Sequence, residues 1–350
     1  VTSAIGQPLS ASLGPGLLGG TFDGLLRPLH GAGTWLTPGD GQRSDGRTWD
    51  FEATVTVGEE RAAGDTVGIV RPGGPLELRV LVPHGCAGTV EQIVATGRYD
   101  AQATLALVGG QQVRMGQRWP VRRPRPHQGR IDGGAPLVTG QRVLDLLYPV
   151  ALGSSAAFPG GFGTGKTVLL QQVAKWCTAD VIVYVGCGER GNEMADVVAE
   201  LAELVDPRTG GQLIQRTVVI ANTSNMPMMA REASVYTGMT VGEYFRDMGL
   251  HAVVIADSTS RWAEALREFA SRSGSLPAEE GYPASLGSAL AAFYERAGHV
   301  RTLGGLQGSV TVIGDVSPPG GDATEPVTAN TERFVRSVWS LDRDLAYARH

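Results

Sequence analysis

The chain has 350 residues, 42% of them hydrophobic, which is enough to bury a sizeable core in one large domain or in two. Its formal net charge is −5 and its basic residues are scattered, so the positive surface typical of nucleic-acid-binding proteins is not predicted. Three scattered cysteines are too few for a disulfide framework, and no apolar run reaches the ~18 residues that span a bilayer, so we expect a reduced, cytoplasmic environment.

The first part of the chain consists of short segments in which apolar and polar residues alternate. Between residues 34 and 117 these segments are separated by glycine and proline, and they lie at 51–57, 76–82 and 88–94. Period-two alternation predicts strands with one buried face. Residues 34–117 are therefore predicted to form a compact all-β domain after a lead-in segment at 1–33. The turn at 83–85 has no lysine to modify, which favours a structural role over a biotinyl or lipoyl carrier.

The second part of the chain alternates strand and helix patterns. A proline- and arginine-rich stretch at 119–126 is predicted to be an extended, solvent-exposed connector rather than a basic binding patch. Beyond it, β-branched runs typical of strands buried on both faces lie at 181–185, 217–221, 252–256 and 309–313. Helical stretches separate them, so residues 118–350 are predicted to form an α/β domain with a mainly parallel sheet, whose ligands bind at the carboxyl ends of the strands.

Residues 160–167 match the P-loop pattern G-x-x-x-x-G-K-[ST] in full. Glycines let the backbone N–H groups approach phosphate oxygens, Lys166 supplies a positive charge, and the Thr167 hydroxyl is predicted to bind Mg²⁺. The match and its α/β surroundings disfavour a glycine-rich turn with a chance Gly-Lys-Thr. Nucleotide contacts are predicted for Gly160, Gly161, Phe162, Gly163, Thr164, Gly165, Lys166, Thr167 and Val168.

Two further carboxylates follow predicted strands. Asp257 closes the run at 252–256 and is predicted to hold Mg²⁺ through water, with a helix N-cap as the alternative. Glu189 follows the run at 181–185, where a carboxylate could polarise the attacking water, and Arg190 beside it could offset developing charge. By spacing alone, an exposed Glu-Arg pair is an equal alternative for these two residues.

Longer segments carry a resemblance to a known family. They read LGPGLLGG at 13–20, PLVTGQRV at 136–143, VGCGERGNEM at 185–194, ANTSNMP at 221–227, ADSTSRWAEALRE at 256–268 and SPPGGD at 317–322. From about Ile5 to His350 the sequence resembles the catalytic A subunit of V-type and archaeal-type (A-type) ATPases and ATP synthases. The resemblance implies a RecA-like P-loop core with an inserted β-rich bulge domain.

The resemblance also implies roles for individual residues. Glu189 matches the catalytic glutamate and Lys166 the P-loop lysine, while Arg190 and Arg261 match arginines near the γ-phosphate. Asp257 and Thr167 match the magnesium site. Residues on the phosphate side or at a subunit boundary would be Arg231, Asn222 and Asn225. The cofactors implied are ATP or ADP with Mg²⁺.

The family's quaternary structure sets further expectations. The resemblance implies a hexamer that alternates catalytic subunits with non-catalytic B-type subunits around central stalk subunits, on the cytoplasmic, peripheral face of a membrane complex. Membrane contact would come only through the separate ion-translocating sector. Since the sequence starts at Val1 without methionine and stops abruptly at His350, we expect a piece of a longer protein, with the aromatic residues of the adenine pocket mostly beyond His350.

Three other functions are weighed against this one. A RecA-like nucleic-acid motor of the Rho kind shares the P-loop but needs a basic channel, which the acidic balance does not supply. A flagellar or secretion export ATPase lacks the long β-rich insert. A non-catalytic nucleotide-binding subunit lacks a functional P-loop, whereas this chain combines Lys166 with Glu189.

Overall fold

Two short strands at the start of the chain pair with strands in two different regions of the fold. The computed structural model describes residues 6–29, 46–161 and 163–348. Strand β1 (Ser10–Leu13) pairs antiparallel with a later strand at Gln117–Pro120, and β2 (Thr21–Phe22) pairs in parallel with a strand at Thr217–Asn222. A 3₁₀ turn at Pro15–Leu17 lies between them. The predicted boundary at residue 34 lies outside the described residues.

The following region forms two antiparallel sheets around one apolar core. Its strands are β3 (Trp49–Ala53), β4 (Glu60–Arg61), β5 (Thr66–Arg71), β6 (Leu78–Leu81), β7 (Gly88–Ile93), β8 (Gly97–Tyr99), β9 (Ala106–Val108), β10 (Gln111–Val113) and β11 (Gln117–Pro120). One sheet has the order β6-β5-β3-β8 and the other β10-β9-β7-β4. Phe51 and Val70 of the first sheet and Val90 and Val108 of the second share the core. Strands β6 and β7 lie within two of the predicted alternating segments, and β3 overlaps the first three residues of the segment at 51–57.

The remainder is an α/β domain, as predicted. Its strands are β12 (Gly129–Arg130), β13 (Pro136–Leu137), β14 (Val150–Ala151), β15 (Ser155–Pro159), β16 (Val181–Cys187), β17 (Thr217–Asn222), β18 (His251–Asp257), β19 (Gly298–Arg301), β20 (Gln307–Val316) and β21 (Ser337–Val338). Its α-helices are α1 (Arg142–Leu147), α2 (Lys166–Trp176), α3 (Gly191–Glu203), α4 (Met228–Asp247), α5 (Thr259–Arg272), α6 (Leu286–Tyr294), α7 (Pro326–Phe334) and α8 (Arg343–Tyr347). Short 3₁₀ turns lie at Leu213–Arg216, Glu279–Gly281 and Pro319–Gly321.

The order of the parallel strands determines which loops meet. The order runs β21-β15-β20-β18-β16-β17-β2, and the antiparallel β19 lies beside the first half of β20, where β15 does not reach. Parallel strands put their carboxyl ends on one edge of the sheet. The loops after β15, β16, β18 and β20 therefore converge there, although 157 positions separate the end of β15 from the end of β20.

Helices cover both faces of the sheet, which explains the β-branched strands. Along β16, Val183 and Val185 belong to the core shared with α4, whereas Ile182 and Tyr184 belong to the core shared with α2 and α3. Successive side chains of a strand point to opposite faces, so a strand buried on both faces is apolar throughout. Within the described residues, no helix is both long and apolar enough to cross a lipid bilayer.

The arginine-rich stretch at 119–126 is a solvent-exposed connector only at residues 122–124, and the prediction was wrong for Arg125. Arg125 is only 7% exposed, and its Nε donates a 2.6 Å hydrogen bond to Asp247 on α4. Its backbone N–H donates to Glu243 on the same helix, and Arg122 pairs with Glu232. Carboxylates more than a hundred positions later in the sequence neutralise these arginines, so local composition gave no sign of the contact.

Candidate active site

The P-loop connects β15 with α2 and forms part of one wall of a cleft. Gly163 and Gly165 have φ angles of 79° and 86°, a region that residues with a side chain rarely adopt. The Lys166 Nζ donates hydrogen bonds to the Gly160 carbonyl at 2.5 Å and to the Ser317 hydroxyl at 2.7 Å. Phe162, predicted as a contact, lies outside the described residues.

The cleft has a volume of about 800 Å³ and collects most of the predicted site residues. Its lining includes Gly161, Gly163, Thr164, Gly165, Lys166, Thr167 and Val168 from the P-loop and α2, Glu189 and Arg190 from the loop after β16, and Asp257 and Arg261 from β18 and α5. Backbone N–H groups at a helix N-terminus and a lysine whose side chain is 10% exposed favour a phosphate ligand at this end of the sheet.

Asp257 lies at the carboxyl end of β18, where the sequence predicted a metal carboxylate. Its side chain is 7% exposed, and the Tyr184 hydroxyl donates a 2.6 Å hydrogen bond to its Oδ2. Burial raises the pKa of Asp257, while the Tyr184 hydrogen bond and the charge of Lys166 act in the opposite direction. The alternative role as a helix N-cap is contradicted, because Ser258 caps α5 with its hydroxyl on the Arg261 N–H.

Glu189 stands two residues beyond the end of β16 and is half-buried in the cleft. Burial raises the pKa of its carboxyl to about 7, and the charge of Asp257 and a hydrogen bond with Glu193 act in the same direction. A carboxyl with a pKa near neutrality is suited to accept a proton from water at physiological pH.

Two of the three predicted arginines line this cleft, and the third lines a different one. Arg261 and Arg190 line it, and each pairs with a glutamate of its own helix region, Glu264 at 3.3 Å and Glu193 at 3.7 Å. Arg231 lines a neighbouring depression behind Gly188, and its Nη2 donates to the Ser224 carbonyl. The two arginines in the cleft are solvent-exposed, so their side chains are free to turn toward a bound anion.

The two predicted asparagines do not line the cleft. Asn222 ends β17 and is fully buried; its carbonyl accepts a hydrogen bond from the Gly188 N–H, and its side-chain amide has no partner among the described residues. Asn225 is exposed and accepts a hydrogen bond from the Thr223 hydroxyl. Through Gly188, Asn222 supports the loop that carries Glu189.

Sequence reasoning missed two residues of the cleft wall, Asp315 and Ser317, and one buried residue behind it, Tyr184, whose hydroxyl contacts Asp257. Asp315 is 3% exposed near the end of β20, and burial together with the charge of Asp257 raises its pKa to about 8. The argument that found Asp257, a carboxylate at the end of a predicted parallel strand, applies equally to Asp315. Tyr184 lies inside an apolar run, so nothing in the sequence distinguished its hydroxyl.

The donor set fits a magnesium ion shared with phosphate. Asp257 and Thr167 offer oxygen ligands to the same cleft. In the described part of the chain, no group of three or more His, Cys, Asp or Glu residues has the arrangement of a complete metal cage. Mg²⁺ is commonly bound by one or two carboxylates together with substrate phosphates, and it does not need such a cage.

Comparison with known proteins identifies the family. Residues 140–350 match the model of the ATP synthase alpha/beta family, nucleotide-binding domain, and residues 43–122 match the barrel-sandwich domain of its subunits. The chain belongs to the ATP synthase alpha/beta family. The resemblance found in the sequence is thereby confirmed, together with the predicted P-loop fold.

Relatives within this family carry consistent names. The chain is 52% identical to the V-type ATP synthase alpha chain of Clostridium botulinum and 52% identical to the A subunit of the A-type ATP synthase of Nanoarchaeum equitans, over 99% of its own length in both cases. It spans 60% and 61% of those two proteins.

Solved structures agree on the fold. The assembled type III secretion ATPase EscN from enteropathogenic E. coli superposes with a TM-score of 0.64 at 23% identity, covering 99% of this chain and 63% of that one. A second type III secretion ATPase gives a TM-score of 0.63, covering 97% of this chain and 73% of that one.

Proposed function

We propose that this chain is the nucleotide-binding region of a catalytic subunit that hydrolyses or makes MgATP in a V-type or A-type ATP synthase. One observation carries the proposal: Lys166, Asp257 and Glu189 line a single cleft although they follow three different strands. The division of the chain into residues 1–33, 34–117 and 118–350 is part of the same proposal. It agrees with the separate matches at 43–122 and 140–350.

Each side chain then has a task in phosphoryl transfer. The P-loop and Lys166 bind the β- and γ-phosphates, and Thr167 and Asp257 would hold Mg²⁺, which neutralises phosphate charge when bound. Glu189 accepts a proton from the attacking water or orients it for in-line attack. Arg190 and Arg261 turn toward the γ-phosphate and stabilise the charge that develops on its oxygens.

The alternatives lack comparable support. A nucleic-acid motor would need a basic channel, and the chain has 30 basic against 35 acidic residues. A non-catalytic subunit would not need a carboxyl with a pKa of about 7 beside the phosphate site. The names of the bacterial and archaeal relatives, an alpha chain and an A subunit, favour the catalytic role.

The whole subunit would act in a multi-subunit complex. We infer a ring that alternates this subunit with B-type non-catalytic subunits around central stalk subunits, on the peripheral, cytoplasmic face of a membrane sector that moves protons or sodium ions. A neighbouring subunit would supply an arginine to each site, which can be worth about 10³–10⁵ in rate. The isolated chain should therefore be a poor ATPase.

Steady-state MgATP hydrolysis by this chain, alone and mixed with a B-type partner, tests the proposal. We expect turnover to appear only with the partner and to disappear with Glu189→Gln. Glu203→Gln, an exposed substitution on α3, is the matched control and should leave turnover unchanged. Fast turnover by a verified monomer would contradict the boundary-type site, and failure to bind nucleotide would contradict the function.

A further inference from the structure

Ser317 is the first residue after β20, and its side chain contacts the P-loop lysine. The Lys166 Nζ donates a 2.7 Å hydrogen bond to the Ser317 Oγ, although 151 positions separate the two residues. The same ammonium donates to the Gly160 carbonyl. An ammonium group has three N–H donors, and these two contacts use two of them. The third makes no hydrogen bond among the described residues, although the Asp315 Oδ1 lies 3.7 Å from the Nζ as an ion-pair partner.

The Ser317 hydroxyl is itself oriented by a buried carboxylate. It donates a 3.2 Å hydrogen bond to the Asp315 Oδ2. A hydroxyl has one donor and two acceptor lone pairs, so donation to Asp315 directs its lone pairs away from that carboxylate and makes one available to Lys166. The contacts therefore form a chain from Lys166 through Ser317 to Asp315.

The backbone of Ser317 is also held in place. Its N–H donates a 2.8 Å hydrogen bond to the hydroxyl of Ser260, in the first turn of α5 and three positions after Asp257. The Asp315 carbonyl accepts a hydrogen bond from Thr259 in the same turn. Ser317 is thus fixed between two strand ends that both contribute to the cleft.

We propose that Ser317 is a positioning residue for the P-loop lysine: its hydroxyl, oriented by Asp315, holds the Lys166 ammonium so that the remaining N–H is directed at a phosphate oxygen. This proposal rests on the proposed function, because it requires a phosphate ligand in the cleft. A lysine side chain loses rotamer entropy when it is fixed, and binding is stronger when that entropy is already lost before the ligand arrives. Ser317 is proposed to act through Lys166.

The test is a calorimetric titration of the 350-residue chain with MgADP and, separately, with magnesium pyrophosphate, which carries the phosphates alone. Ser317→Ala should weaken both affinities by about tenfold, the weight of one hydrogen bond to a charged group. Ser317→Thr retains the hydroxyl and should restore binding to within about threefold of the wild type. A purely structural role for the small side chain would not predict this rescue.

Two further variants complete the experiment. Ser288→Ala removes an exposed serine hydroxyl on α6 and should bind like the wild type. If Ser317→Ala does not fold, Ser317→Cys fills the same volume with a weak hydrogen-bonding group and should show the same loss of affinity.

The outcomes separate the two proposals. Wild-type affinity in a folded Ser317→Ala or Ser317→Cys variant would overturn the role of Ser317 while leaving the proposed function intact. Failure of Ser317→Thr to restore binding would overturn it as well. If the wild-type chain binds neither MgADP nor magnesium pyrophosphate, the proposed function fails first.

Discussion

The hydroxyl of Tyr184 donates a 2.6 Å hydrogen bond to the carboxylate of Asp257, joining two residues of adjacent parallel strands. Both groups are buried, and the bond lowers the pKa of Asp257 against the effect of burial. The hydrogen bond thus helps to keep a carboxylate charged in an environment that disfavours charge. That carboxylate is the one we assign to Mg²⁺.

Tyr184→Phe should weaken magnesium-dependent nucleotide binding by about 10–100-fold, the usual effect of removing a group that orients a metal ligand. Loss of the hydrogen bond also raises the pKa of Asp257, so the variant should need a higher pH to bind Mg²⁺. Titration of nucleotide binding with Mg²⁺ measures both effects. The affinity for nucleotide without Mg²⁺, measured in EDTA, should change little. An equal loss of affinity with and without Mg²⁺ would contradict the assignment of Asp257 as a magnesium ligand.

Lys166→Ala should abolish tight MgATP binding, because it removes the only side-chain charge of the P-loop sequence at 160–167. Lys175→Ala is the matched control: Lys175 lies in the same helix but packs over the Trp176 ring outside the cleft. Nucleotide titration by calorimetry or fluorescence measures the difference. Unchanged affinity in Lys166→Ala would mean that the cleft is not the nucleotide site.

Glu189→Gln should retain nucleotide binding and lower turnover of the assembled complex by about 10²–10⁴-fold, the usual contribution of a positioned base. Because the pKa of Glu189 is about 7, wild-type turnover should rise as the pH increases through 7. The residual activity of the variant should lack this rise. A variant with the same pH profile as the wild type would assign the profile to another group.

Asp315→Asn should increase stability more at alkaline than at acidic pH. The pKa of Asp315 is raised to about 8 in the folded protein, above its value of 3.8 in the unfolded chain, so the wild type loses free energy of unfolding as the pH rises through this window. Asparagine has a similar shape and no charge to bury. Urea unfolding at about pH 4 and about pH 8 measures the change, and a gain that is equal at both pH values would contradict the pKa shift.

Arg296→Met should lower the free energy of unfolding by about 3–5 kcal/mol, because it leaves the buried Glu243 carboxylate without its main partner. Arg296 and Glu243 are 2% and 1% exposed, and two hydrogen bonds of 2.9 and 2.7 Å join them. Arg272→Met breaks an exposed pair with Glu268 and should cost less than about 1 kcal/mol. Urea unfolding of both variants compares the two pairs; similar losses would contradict the role of burial.

The sequence by itself determined the features that depend on neighbouring residues. The P-loop spacing placed the phosphate site at residues 160–167. Runs of β-branched residues located β16, β17, β18 and β20. Asp257 and Glu189, which follow two of these runs, lie in one cleft at the carboxyl edge of the sheet, as expected.

Only the tertiary structure decided which side chains face one another. Tyr184 meets Asp257 and Ser317 meets Lys166 because β16, β18, β20 and β15 are neighbours in the sheet, an order that no local pattern encodes. The burial of Arg125 was misjudged for the same reason, since its carboxylate partners Glu243 and Asp247 are on α4. Hydrophobic periodicity reports that a strand is buried, whereas the pairing of polar groups depends on strand order and helix packing, which are set by contacts between residues far apart in the chain.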